Sequence, residues 1–261
     1  MSVEYRKLQD IKPCYTNDDY RAASLDNNAS KNVNQQILSH DRYRPYLMSY
    51  GKSRTDYINA VIIPSYVRQR NIIVTQYPLK STVVDFWTLI YDTDCATVVI
   101  LETLNDNTKL LPNEDKSLTF EKFEVSKVRS DHPFVYVRIK HKEYDESKQV
   151  KVLFGEDWPT EKTVPPNEKL MLDILSSIYH ETATNSIAVV CRDGCTRSGI
   201  FVALNLTMQK LGIEKEVDLF HVVRMMQIRR PEFLSHPEEY EYCYKCIRQH
   251  LEMDSLYANI Q

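Results

Sequence analysis

Residues 186–199 read SIAVVCRDGCTRSG, and the fold turns on this stretch. SIAVV (186–190) is short, apolar and partly β-branched, the composition of a buried strand. CRDGCTRSG (191–199) then carries Gly194 and Gly199, two of only five glycines in 261 residues. Glycine marks positions that need positive φ or close backbone approach, so this pair is informative. IFVALNLTMQKLG (200–212) reads as a helix closed by Gly212 at its C-cap. A strand feeding a tight loop that opens a helix is a general anion trap. Backbone N–H groups converge there, and the helix N-terminus adds partial positive charge. Cys191 stands at the strand end, Arg197 six residues later and Ser198 beside it. A thiolate in that setting is expected to have its pKa below that of a free thiol, and the guanidinium offers a planar fork to two phosphate oxygens. These residues suit a cysteine nucleophile facing a bound phosphoryl group.

Outward from the loop, INAVII (58–63), NIIVTQ (71–76) and ATVVIL (96–101) read as further strands, with STVVDFWTLIYD (81–92) as a helix between the last two. From 118 to 154 the sequence alternates as an antiparallel section would. The turn-rich GEDWPTEKTVPPN (155–167) follows, then helices over about 168–182, 215–229 (stopped by Pro231) and 237–252. The first fifty residues are polar and read as short helices and loops. Nothing repeats, and no Pro-, Gly- or Ser-rich boundary divides the chain. The expectation is one α/β domain over 1–261, with its core at about 5–252.

Composition narrows the function. The chain is 43% hydrophobic and 26% charged, as globular proteins are. A net charge of −3 gives no electrostatic footprint for non-specific nucleic-acid binding. No apolar run approaches the roughly 18 residues of a bilayer span, and MSVEYRKLQD has no signal-peptide core. Six cysteines are too sparse for a disulfide framework, so a cytoplasmic, reducing setting is expected, with no membrane insertion by this segment. Cys243 and Cys246 form a lone Cys-x-x-Cys without further ligands at metal spacing; no metal and no cofactor are expected. Arg229-Arg230 and the basic run at 68–70 read as solvated faces.

CRDGCTRSG resembles the signature loop of protein tyrosine phosphatases, His-Cys-Ser-Ala-Gly-x-Gly-Arg-Ser/Thr-Gly. Other landmarks of that family stand in order: KN (31–32), DYINA (56–60), TQYPL (75–79), DFW (85–87), TVVIL (97–101), WP (158–159) and EEYEYCY (238–244). The resemblance implies a twisted mixed β-sheet flanked by helices. It also implies Cys191 as nucleophile and Arg197 as phosphate and transition-state ligand, with Ser198 beside them. Arg192, Asp193, Gly194, Cys195, Thr196 and Gly199 would complete the phosphate-binding loop.

The departures fall on the chemistry. The family's mobile loop supplies an aspartic acid after Trp-Pro; this chain has Thr160, which cannot act as a general acid near neutral pH. Asp157 and Glu161 flank it, out of register. Asn34 stands where the family places an aromatic that stacks on the phosphotyrosine ring, and Ser235 and Glu239 where it places two glutamines. Val190 replaces the histidine that poises the thiolate, and bulk at Thr196 threatens the cradle's shape. Asp193 and Glu239, if near the phosphate, repel it by about 2 kcal/mol per charge pair at ~8 Å.

This pattern resembles the second, membrane-distal phosphatase domain of receptor-type phosphatases. The leading expectation is a regulatory pseudophosphatase domain of weak or absent turnover that binds a phosphotyrosine protein or oxyanion weakly. Another phosphatase domain, in the same chain or a different one, is its implied partner. The competing expectation is an active enzyme that hydrolyses phosphotyrosine through a cysteinyl-phosphate. A third, an interaction scaffold that binds no phosphate, predicts an occluded loop.

Overall fold

Short apolar runs pair side by side at the centre of one sheet because helices cover both of its faces. Residues 3–258 of the computed structural model are described here, apart from 50, 68–69, 104–107, 114–115, 156–157, 160 and 180–184. The strands are β1 (Ala60–Pro64), β2 (Asn71–Gln76), β3 (Cys95–Ile100), β4 (Leu118–Thr119), β5 (Phe123–Asp131), β6 (Phe134–His141), β7 (Ser147–Phe154) and β8 (Ser186–Cys191). Their spatial order is β1-β2-β8-β3-β7-β6-β5-β4. The neighbours from β2 through β8 and β3 to β7 pair in parallel; β1 and the β7-β6-β5-β4 section pair antiparallel. The sheet is therefore mixed, as expected, and twisted as such sheets are.

The helices are α1 (Val3–Asp10), α2 (Arg21–Ser24), α3 (Asp26–Ala29), α4 (Val83–Asp92), α5 (Glu168–Tyr179), α6 (Thr196–Glu214), α7 (Leu219–Arg229) and α8 (Pro237–Ala258). Alternation along β8 divides the core in two. Ile187, Val189 and Cys191 face a cluster built with α1, α5, α6, α7 and α8. Ala188 and Val190 face a second cluster built with α4 and the antiparallel strands. Helix α6 is buried almost all round, from Arg197 to Lys210, which fits its lack of a polar face.

Several helix boundaries differ from the sequence reading, among them the end of α8 at 258 rather than 252. Helix α6 runs through Gly212 to Glu214, and the left-handed C-cap is Lys215 at φ 61°, whose N–H bonds Leu211 O. Helix α7 starts at Leu219, not 215, because Asp218 caps it by accepting the His221 N–H.

Candidate active site at the carboxyl end of the central strands

The parallel strands end together, and their carboxyl ends carry the chemistry. Gln76 closes β2 and is the register partner of Cys191, which closes β8. Glu102 follows β3 by two residues. The loop 191–195 turns between β8 and α6, with Gly194 at φ +66°. A Cβ at Gly194 would lie 2.6 Å from Gln76 N and 2.9 Å from an Arg230 nitrogen, so only glycine fits. Gly199, in the first turn of α6, lets Phe233 and Leu234 close on the helix.

Two of the loop's N–H groups converge, and they converge on the side chain of Asp193. Asp193 Oδ1 accepts the N–H groups of Cys195 (2.8 Å) and Thr196 (3.0 Å) and lies 3.2 Å from Cys191 Sγ. The Thr196 hydroxyl donates to Asp193 Oδ2 at 2.5 Å. Burial alone would raise the Asp193 pKa, yet these donors together hold it below the usual carboxylate value.

Cys191 responds in the opposite sense to the sequence expectation. It is 1% exposed, and its pKa is pushed up to about 12, first by burial and then by the Asp193 charge. Ser198 works the other way, favouring the thiolate, though its buried Oγ has no well-formed hydrogen-bond partner among the described residues. The expectation of a lowered thiol pKa is thus corrected: it counted the helix terminus and Arg197 but not a carboxylate inside the loop. Cys195 is buried as well, and burial holds its thiol well above the usual value.

Arg197 is buried and committed to the protein. It donates to Leu101 O (2.9 Å) and Pro159 O (3.0 Å), packs over the Trp158 ring at 5.0 Å and lies 4.0 Å from Glu102. Trp158 Nε1 in turn donates to Lys162 O at 3.0 Å. Arg192 is exposed and reaches Glu102 at 3.4 Å. A cleft of about 260 Å³ opens here, lined among others by Cys191, Arg192, Asp193, Thr196, Arg197 and His236.

The remaining sequence-nominated positions scatter. Val190 lies in the opposite core layer from Cys191, so it packs where the sequence reading wanted a neighbour of the thiol. Asn34 accepts the Gln36 N–H in a turn and is not among the cleft residues. Ser235 is exposed, and its carbonyl accepts from Tyr5 OH. Glu239 is buried, accepts the His236 N–H at 3.0 Å and feels the Asp193 charge. Glu161 is exposed at the cleft. Thr160 and Asp157 lie outside the described residues.

Three residues that serve the loop were missed. Glu102 holds both arginines; a carboxylate just past a parallel strand was its signal. Gln76 accepts the Val33 N–H and donates to Lys31 O, tying the 31–33 segment to the strand beside Cys191. Arg230 is fully buried beneath the loop, donating to Gly194 O (2.5 Å) and Asn59 Oδ1 (2.6 Å). The reading of Arg229-Arg230 as a solvated face is corrected for Arg230, and Arg229 lies over the Tyr43 ring. Arg70 is buried too, while 68 and 69 lie outside the described residues.

A sequence model described as protein-tyrosine phosphatase matches residues 28–249, most of the chain and the whole site. The chain belongs to the protein-tyrosine phosphatase family. Among relatives of this phosphatase-family chain, receptor-type tyrosine-protein phosphatase alpha of Mus musculus is 27% identical across all of the chain, and epsilon of Homo sapiens 29%. Receptor-type tyrosine-protein phosphatase S of Gallus gallus is 28% identical over 99% of the chain. The chain spans 33%, 39% and 18% of their respective lengths, so it corresponds to one part of each. The described residues include no helix long and apolar enough to cross a membrane.

Proposed function

We propose that this chain is a tyrosine-phosphatase-fold domain of little or no turnover, acting in regulation as a pseudophosphatase. The carrying observation is the Cys191 thiol, buried, 3.2 Å from Asp193 Oδ1 and pushed up to about 12. The thiolate is the nucleophile, and at pH 7 such a thiol is ionised to only ~10⁻⁵. Thr160, by residue type alone, removes the leaving-group proton donor as well, a loss typically of ~10²–10⁴ in rate. Each loss suffices to suppress hydrolysis, and both fall on the step in which the sulfur–phosphorus bond forms as the tyrosine oxygen leaves.

Such a domain regulates by contact. The relatives are receptor-type phosphatases several times longer than this segment, which supports a role beside a second, active phosphatase domain on the cytoplasmic side of a membrane. The test is steady-state release of phosphate from a phosphotyrosine peptide by wild type and Cys191→Ser. Equal, near-background rates are expected. Turnover that the serine variant abolishes would establish the active-enzyme reading instead.

A further inference from the structure

We infer that Asp193 is an internal ligand of the Cys195 and Thr196 amides at the head of helix α6, and that this one carboxylate is what keeps tetrahedral oxyanions out. The inference rests on the reading of the loop as a phosphatase signature loop without turnover, and explains how a chain that keeps the cysteine and arginine can have an occupied site.

The geometry is that of a bound anion. One carboxylate oxygen takes two consecutive backbone N–H groups at the start of the 19-residue helix α6 and sits beside the cysteine sulfur. The other takes the Thr196 hydroxyl. Backbone amides at a helix N-terminus attract anionic oxygen whatever its source. A side chain of the loop itself is held at high effective concentration, so an external anion must displace it. Asp193 and Thr196 therefore act as a pair, one filling the cradle and the other pinning the filler. Neither role is visible when each is treated as a separate substitution.

Buried residues brace the loop around the carboxylate. Ser198 Oγ, in the helix's first turn, is fully buried with no well-formed hydrogen-bond partner among the described residues, and it already favours the Cys191 thiolate. Such a group is costly unless something engages it, and an ionised sulfur next to it would. Arg230 holds the Gly194 carbonyl, the Gly194 N–H is taken by Cys191 O, and the next two N–H groups, of Cys195 and Thr196, both point at Asp193. Arg197, buried at the cleft wall, is satisfied by two carbonyls and Glu102, so no positive charge is called on to hold an anion at present. Removing the Asp193 carboxylate should thus vacate the amides, and removing its charge alone should bring the Cys191 pKa down from its raised value.

The experiment compares wild type, Asp193→Ala, Asp193→Asn and Asp193→Ala/Arg197→Ala. Sulfate is titrated against ¹H–¹⁵N amide shifts, with sodium chloride at matched ionic strength as control. Alkylation of Cys191 by iodoacetamide at pH 7.5 is mapped in the folded protein by mass spectrometry. Asp193→Ala should bind sulfate at least tenfold more tightly than wild type, through the amides of 195 and 196, and adding Arg197→Ala should reverse the gain. Cys191 should alkylate at least tenfold faster in both single variants. Asn keeps an acceptor for the two amides, so Asp193→Asn preserves the loop if the alanine variant misfolds, and its alkylation rate then decides. A folded Asp193→Ala that binds sulfate no better than wild type, or an Asp193→Asn whose Cys191 reacts at the wild-type rate, overturns the inference. Turnover by wild type would instead sink the function proposed above, which none of these readouts measures.

Discussion

Glu239 shows at residue scale how a position emptied of catalytic chemistry still carries energy. Its carboxyl is 1% exposed and is pushed up to about 7, chiefly by burial, with the Glu238 and Asp193 charges adding. An acid with a raised folded pKa binds its proton more tightly in the folded state. The protein therefore loses stability as pH climbs from the unfolded value of 4.5 to about 7, and the full loss persists above that. Glu239→Gln keeps an acceptor for the His236 N–H and removes the charge. It should stabilise the fold by up to about 3 kcal/mol at pH 8 and by little at pH 4.5. Urea unfolding of both proteins at the two pH values checks this; a gain independent of pH would refute it. Arg230 is the converse case, a buried cation that no sequence signal marked as internal. Charged residues read as surface unless a partner is known, and its partners are the Gly194 carbonyl and Asn59, 36 and 171 residues away. Arg230→Ala strands both acceptors and opens a void, and should cost about 3–5 kcal/mol by chemical denaturation.

At the scale of elements, the strand–loop–helix unit β8–α6 was legible in outline and opaque in its interior. Apolar runs bounded by polar turns mark β2, β3 and β8 because a strand covered on both faces has no other way to be written. The end of α6 was not legible. Gly212 offered the ordinary stop, but the packed helix continues past it and leaves Lys215 to take the left-handed position. The placement of Cys191 at the end of β8 and Arg197 in the first turn of α6 was legible from the motif and its strand–helix context, whereas the inward turn of Asp193 was not. Whether a loop carboxylate points to solvent or to its own amides depends on the loop's dihedrals, which residue types alone leave open. The two glycines of the unit separate these effects. Gly194→Ala places a Cβ against backbone at positive φ and should cost at least ~2 kcal/mol. Gly199→Ala meets side-chain carbons of Phe233 and Leu234 at 3.1 and 3.3 Å and backbone only at an ordinary 3.6 Å, and helix propensity offsets about 1 kcal/mol of that crowding. Thermal melts of the two variants should differ by several degrees in that order.

Over the whole molecule, long-range polar ties fix the irregular first sixty residues onto the sheet. Asp85 on α4 is 1% exposed and accepts Arg54 at 2.5 and 2.6 Å, with Lys31 at 3.3 Å. Tyr57 and Asn59 both donate to Asn32 Oδ1, and Lys31 also donates to Tyr57 O. The sequence named KN, DYINA and DFW as separate landmarks; they are one assembly, and adjacency of that kind has no periodicity to betray it. Asp85→Asn leaves two cations facing a neutral amide and should destabilise by about 3 kcal/mol. The loss should appear first as faster amide exchange across 28–59, measured by mass spectrometry. Uniform exchange across the sheet would argue against this local tie.

The chain has two tryptophans, and the sheet divides them: Trp87 is buried in the α4 layer and Trp158 in the α6 layer against Arg197. Intrinsic fluorescence therefore has two separate sources, one on each side of the molecule. In a Trp87→Phe background, the remaining emission should report the cleft wall alone, and it should shift to the red when Arg197→Ala removes the guanidinium lid from the indole. The same arginine change in a Trp158→Phe background should leave the spectrum where it was, giving an optical readout of one face without labels.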